Sequence, residues 1–126
     1  MNGLEIRDAT KKDKDAILEF CRDTWDWGDY IDMVWDDWLN DPDGRLIVGI
    51  LDGVPVAVVH ICIFPTGEGW IEGMRIKPEL RDKQIGTALS EYCIDEMGKA
   101  GVRVARYMTA SSNKPVQRIS EKHGFF

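Results

Sequence analysis

The residue order predicts a mixed α/β domain, a mostly antiparallel central sheet with helices on both faces, in the order β-α-α-β-β-β-α-β-α. Three observations carry this. Residues 45–51 and 54–64 are apolar, β-branched runs separated by Asp52-Gly53, the pair that favours a type I′ hairpin turn. Ile85, Ala88, Leu89, Tyr92, Cys93 and Met97 repeat at helical spacing, and that helix lies between an apolar strand at 70–77 and another at 102–109. Two strands joined by a helical crossover pair in parallel, whereas those joined by short turns pair antiparallel.

Taken in order, residues 4–7 read as a short strand, and Thr10 then offers an N-cap with Asp13 three residues on. Ala16, Ile17, Phe20 and Cys21 form the apolar stripe of a first helix. Within residues 25–40, Tyr30, Met33, Val34 and Trp38 keep helical spacing with acids between them, which predicts a second amphipathic helix, with Gly28 breaking it from what precedes. Asp41-Pro42-Asp43-Gly44 and residues 65–69 are turns by composition. Pro55 stands at the start of its strand, where a missing N–H is tolerated. Pro78 stops the central strand, a helix runs over 86–99, and Gly101 follows as its C-cap. A polar loop at 110–113 and a short helix at 113–122 complete the order.

Length and composition place the chain among ordinary globular proteins. Its 126 residues suit one domain, and the 44% apolar and 30% charged fractions are unexceptional. No apolar run is long enough for a membrane span and no leader opens the chain, so the expected location is cytoplasmic, with no membrane partner. Cys21, Cys62 and Cys93 are widely spaced in apolar patterns, which predicts reduced thiols and neither a disulfide framework nor a metal motif. His60 and His123 are read as a strand and a helix-end residue. Of the net charge of −6, the segment 23–44 alone contributes −8, having eight Asp and no Lys or Arg. An acidic balance of this kind makes nucleic acid a poor partner.

The strand-loop-helix at 70–100 is where chemistry is expected. The first backbone N–H groups of a helix have no intrahelical partner and lie at the positive end of its dipole, so such a loop is an anion cradle. Arg75, Lys77, Arg81 and Lys83 lie in or beside it. Arg81-Asp82-Lys83-Gln84-Ile85-Gly86, followed by Thr87-Ala88-Leu89, resembles the R-x-x-G-x-G/A signature with which the GNAT superfamily of N-acetyltransferases holds the pyrophosphate of acetyl-CoA. Gln84 stands where the family usually has glycine. A second stretch, 113–125, resembles the family's N-x-x-A-x-x-x-Y-E-K-x-G-F element, with Asn113, Glu121, Lys122, Gly124 and Phe125 in place and Ser120 at the tyrosine. The opening IRDATKKDKDAILEF is similar to the family's first strand, turn and helix.

The resemblance implies a single GNAT domain over 1–126 that moves an acetyl group from acetyl-CoA to a primary amine of a small cationic metabolite or a peptide. It implies that Arg81, Asp82, Lys83, Gln84, Ile85, Gly86, Thr87 and Asn113 hold the donor, and that a central-strand N–H near Met74 or Ile76 meets the thioester carbonyl. Glu72 resembles the acidic position that many members use as a base, although strand alternation against Ile71 also allows a solvent-facing carboxylate there. With Ser120 in place of the tyrosine that protonates the leaving thiolate, Tyr107 is one substitute acid, and no dedicated acid is the other reading. The region between the first two helices covers the acceptor in the family, so Trp25, Trp27, Asp29 and Tyr30 are the substrate candidates, carboxylates and aromatic faces that suit a protonated amine. The resemblance implies direct attack without a covalent enzyme intermediate, and neither Cys62 nor Cys93 has a histidine placed by sequence to activate it.

The family continues with a strand pair that is absent from this sequence. A longer protein, a partner strand or a minimal form would each account for it, and a second copy pairing along the open sheet edge is one such partner. A non-catalytic acyl-CoA-binding module and an assembly domain are the alternatives to an enzyme.

Overall fold

The computed structural model describes residues 3–22, 24, 28–81 and 84–107. Within them, β1 (Leu4–Asp8), β2 (Gly44–Leu51), β3 (Val54–Ile63), β4 (Glu68–Ile76) and β5 (Val104–Tyr107) form one sheet in that spatial order. Neighbours are antiparallel except β4 and β5, which are parallel and are joined through α3 (Ile85–Lys99). The expected element order therefore holds through β5. The final helix expected at 113–122 lies outside the described residues.

Local chemistry accounts for each connection. Asp52 and Gly53 have φ of +53° and +80°, the two positive values that a type I′ turn requires. In the turn before β2, the Asp43 N–H donates to Asp41 Oδ1 at 2.9 Å, an Asx turn that fixes the Asp41 side chain against the sheet end. α3 closes on Gly101 at φ +87°, with the Val102 N–H donating to the Met97 carbonyl at 3.0 Å. The entry to α1 (Lys14–Cys21) is tightened by Asp13, which accepts from the Thr10 N–H at 2.8 Å and is gripped by Arg7 of β1 at 2.8 and 3.0 Å.

The two faces of the sheet carry separate cores. On one, Ile85, Leu89, Cys93 and Met97 of α3 pack on Ile47, Val59, Ile61 and Ile71. On the other, Ile17 and Cys21 of α1 and Ile31 and Trp35 of α2 (Ile31–Leu39) pack on Leu46, Val48, Ile50 and Val58. The stripe expected on α2 is corrected here. Met33 is 70% exposed, whereas Trp35 is fully buried. The buried side of the helix runs through Ile31, Val34, Trp35 and Trp38; of the expected stripe Tyr30, Met33, Val34 and Trp38, only Met33 is exposed, and Tyr30 and Trp38 pack against the core.

Candidate active site

The site begins at an irregularity in β4. Register passes from Val58↔Arg75 to His60↔Glu72, so Gly73 and Met74 together oppose Val59 alone. This is a β-bulge, and Gly73 supplies its left-handed residue at φ +67°. A Cβ on Gly73 would lie 2.6 Å from two ring carbons of Trp38, so the indole rests directly on the glycine. In a regular strand, Glu72 and Met74 would share a face. The extra residue instead sends Met74 into the α3 core and leaves Glu72 and Arg75 together on the α1–α2 face.

On that face Glu72 is held by a buried histidine. Its Oε1 lies 2.9 Å from His60 Nδ1, and His60 Nε2 lies 3.1 Å from Asp41 Oδ2. The imidazole is 1% exposed and the two carboxylates 23% and 21%, so the ring is sealed while both acids reach the surface. Trp38 stacks flat on the imidazole, with centroids 4.5 Å apart and planes at 3°, and Tyr30 meets Trp38 edge-on at 6.2 Å. Backbone comes close on the opposite side. A Cβ at Gly44 would sit 2.6 Å from Asp41 Oδ2 and 3.0 Å from His60 Nε2.

Cys62 completes the cluster, its Sγ 3.6 Å from His60 Nδ1, 3.8 Å from Asp41 Oδ2 and 3.7 Å from Glu72 Oε1. No histidine is placed by sequence to activate Cys62 or Cys93, and the β3 strand nevertheless sets His60 beside Cys62. Proximity does not make Cys62 a nucleophile. Burial, followed by the charges of Glu72 and Asp41, pushes its thiol up to about 12, so the reactive thiolate is scarce near neutral pH.

Arg75 and Asp29 form the next layer. Arg75 Nε donates to Asp29 Oδ2 at 2.8 Å and its Nη2 to Oδ1 at 3.3 Å, and the guanidinium lies 5.2 Å over the Tyr30 ring. This corrects the placement of Arg75 beside the anion cradle, since the bulge turns it to the opposite face. The Asp29 carboxylate, expected at the substrate amine, has both oxygens engaged by Arg75 and a side chain only 2% exposed. Beside it lies a cavity of about 500 Å³ whose described lining includes Asp15, Glu19, Asp29 and Asp32 against the single cation Arg22. Glu72 does not line this cavity.

The start of α3 is where the anion cradle is expected, and its described residues are Arg81 and those from Gln84 onward. Arg81 is exposed, extended backbone that follows the turn Pro78–Leu80. Gln84 takes φ +66°, and the Ala88 N–H is bonded to the Gln84 carbonyl at 3.1 Å. The N–H groups of Ile85, Gly86 and Thr87 thus open the helix without an intrahelical acceptor. Tyr107 is elsewhere. Its hydroxyl lies 3.1 Å from Met74 Sδ in the α3-side core, the face opposite Glu72, and burial raises its pKa, which makes the phenol a weaker proton donor. The structure therefore brings Glu72 together with His60, not with Tyr107. Trp25, Trp27, Asp82, Lys83 and Asn113 lie outside the described residues.

The model of the acetyltransferase (GNAT) family matches residues 13–125. The chain belongs to the GNAT family. Its curated relatives include a histidine N-acetyltransferase from Oreochromis niloticus, 29% identical over 94 residues, which are 74% of this chain and 28% of that protein. The GNAT domain described here thus matches less than a third of that relative's length. Among solved structures, a transcriptional regulator from Bacillus halodurans C-125 superposes with a TM-score of 0.84 at 20% identity, covering 98% of this chain and 93% of that one. The PaiA N-acetyltransferase from Thermoplasma acidophilum, in complex with coenzyme A, gives 0.79 at 20% identity, covering 98% and 89%. At such identities the likeness is one of fold.

The start of α3 in this GNAT domain fits an anionic diphosphate. Gln84 occupies the motif's usual glycine position and adopts the left-handed conformation that glycine prefers, at a cost of about 1–2 kcal/mol for a residue with a Cβ. Gln84 thus makes the left-handed step without a glycine. His60, Asp41 and Trp38 were not selected as site residues by the sequence reading. A signal existed: the turn that bonds the Phe64 N–H to the Glu68 carbonyl sets a hairpin register in which Cys62 opposes Trp70 and His60 opposes Glu72.

Proposed function

We propose that this domain catalyses acetyl-CoA-dependent N-acetylation of a primary amine, with Glu72 as the proton acceptor. One observation carries the reading: Glu72 stands beside the β4 bulge with one oxygen fixed at 2.9 Å by a buried imidazole and its carboxylate partly open to solvent. Acetyl-CoA, when bound, supplies an activated acetyl thioester. A primary amine with a pKa of about 10 is protonated at neutral pH and has no lone pair to attack with. Glu72 removes that proton, and His60, backed by Asp41 and clamped by Trp38, keeps the carboxylate in one orientation. Attack of the neutral amine on the acetyl carbon would then break the carbon–sulfur bond, the nitrogen losing its second proton and the thiolate gaining one through solvent. Cys62 has no part in the transfer, because its raised pKa withholds a thiolate.

Donor holding falls to Arg81 and the first turn of α3, with Asp82, Lys83 and Asn113 as further candidates and a backbone N–H near Met74 or Ile76 for the carbonyl. The acceptor class we favour is a small cationic or amino-acid amine. The acceptor named for the Oreochromis niloticus relative supports it, with Tyr30, Trp25 and Trp27 as candidate aromatic contacts. A peptide amine is the other arm of the test.

The test is release of free CoA from acetyl-CoA in the presence of amino acids, polyamines, aminoglycosides and lysine peptides. Glu72→Gln is expected to lower kcat about 10²–10⁴-fold with acetyl-CoA affinity retained, and Arg81→Ala to weaken acetyl-CoA binding. Acetyl-CoA binding without release by any amine would instead make this a binding module.

A further inference from the structure

α2 is fastened to the sheet at both ends, and both fastenings lie beside the β4 bulge. At its start, the Asp29 carboxylate accepts from the Ile31 N–H at 3.3 Å and from Arg75 Nε and Nη2 at 2.8 and 3.3 Å, so one side chain ties the first turn of the helix to β4. Arg75 is in turn fixed to its own strand, since its Nη1 donates to the Met74 carbonyl at 3.0 Å. At the other end, Trp38 lies flat on His60 and against Gly73, and Asp41, just past the helix, meets His60 Nε2. Tyr30 joins the two fastenings, its ring under the Arg75 guanidinium at 5.2 Å and edge-on to Trp38 at 6.2 Å.

The helix needs more than its apolar contacts to sit this way. Ile31 and Trp35 bury α2 in the core with Val48 and Val58, but hydrophobic contact is non-directional. A two-pronged guanidinium–carboxylate pair fixes an angle as well as a distance. The nine residues of α2 span about 13 Å, so a tilt of about 5° about one end moves the other by about 1 Å. A displacement of that size at a catalytic group can cost about 10²-fold in rate. Direction, not stability, is what the pair adds, because exchanging a buried ion pair for apolar residues of similar volume is often neutral.

We propose that Arg75 is a positioning residue of the active site: by gripping Asp29 it sets the seat of α2, which keeps Trp38 stacked on His60 and Asp41 at its Nε2, and so holds Glu72 in place. The inference rests on the reading of Glu72 as the proton acceptor. Arg75 acts through the helix and the imidazole, and the Asp29 carboxylate serves α2 instead of the acceptor amine.

The test uses the full chain carrying Arg75→Met with Asp29→Leu, which removes the grip without leaving a lone buried charge, and Arg75→Lys, which keeps the charge but not the planar fork. The sequence has only two histidines, so ring-labelled histidine gives two sets of NMR signals, and His60→Gln assigns them. Ring protons of an imidazole stacked on an indole are shifted upfield. In the double variant that shift should largely vanish and kcat for amine-dependent CoA release should fall about 10–100-fold, with KM for acetyl-CoA unchanged and most of the wild-type urea midpoint retained. Arg75→Lys should change both in the same direction by less, and it supplies both readouts should the double variant not fold. A merely structural ion pair would lower the midpoint and leave the His60 shift and the kcat per folded molecule at wild-type values. That result would overturn the proposal, as would a lost shift with wild-type kcat. If wild type released no CoA with any amine, the acetylation reading would fail, and the His60 shift would still decide whether Arg75 seats Trp38.

Discussion

Replacing Gly73 by alanine tests whether the bulge seats Trp38 over His60. Two costs add. A residue with a Cβ held at φ +67° loses about 1–2 kcal/mol relative to glycine. The new methyl would also lie 2.6 Å from Cη2 and Cζ3 of Trp38, and overpacking of this kind costs about 1–3 kcal/mol. The expected loss is about 2–5 kcal/mol, a large share of the roughly 5–15 kcal/mol that stabilises a domain. Gly98→Ala is the matched control, since it lies within α3 with nothing inside 4 Å of a new Cβ and should gain up to about 1 kcal/mol. Urea unfolding followed by tryptophan fluorescence reads both. With m of about 2 kcal/mol/M, the Gly73→Ala midpoint should fall by roughly 1–2.5 M and the Gly98→Ala midpoint should rise. A Gly73→Ala midpoint within error of wild type would refute both the left-handed bulge and the seating of the indole on it.

Two further outcomes follow from the ion pairs. Arg75→Met leaves the Asp29 carboxylate, 2% exposed, without its partner, and should destabilise by about 3–5 kcal/mol, whereas Arg75→Met with Asp29→Leu recovers most of the loss; equal unfolding midpoints for single and double variants would contradict this. Burial alone would raise the Asp13 pKa, but the Arg7 hydrogen bonds and the Thr10 N–H overcome it and hold the value below the usual 3.8. The pair's stabilisation is therefore complete above about pH 4 and is lost as pH falls through the depressed folded value. Asp13→Asn should lower Tm at pH 7, with the gap to wild type closing at more acidic pH, and a gap independent of pH would exclude the ion pair as its source.

Local chemistry made much of the fold legible. The Asp52-Gly53 turn, the α3 stripe and its Gly101 cap depend on neighbours in sequence, and so does the parallel pairing that a helical crossover imposes. The phase of α2 was harder, because its aromatic and acidic residues alternate closely enough for Met33 and Trp35 to compete for the core, and only packing against Ile31 and the sheet decides. Within the site, Glu72 and the Gln84–Thr87 turn could be named from motif resemblance. His60 could not, because a lone histidine in an apolar run becomes part of a site only when strand pairing sets it opposite Glu72 and the 41–44 turn brings Asp41 to its other nitrogen. The Arg75 placement failed for a related reason: alternation predicts faces only in a regular strand, and the bulge at Gly73 resets the count.

Trp38, Asp41, His60, Cys62 and Glu72 all come from the consecutive α2, β2, β3 and β4 portion of the chain, joined by two tight hairpins and one Asx turn. The hydrogen bonds and stacking among them span at most 22 residues, fewer than separate the paired residues of β1 and β2 or of β4 and β5, so less loop entropy opposes them. β1 and β5 arrive from much farther along the chain, one across α1 and α2 and the other across α3. The meander is therefore the natural folding nucleus, with the two outer strands docking late. Substitutions at His60 or Trp38 should accordingly slow folding, whereas substitutions in β1 and β5 should mainly hasten unfolding.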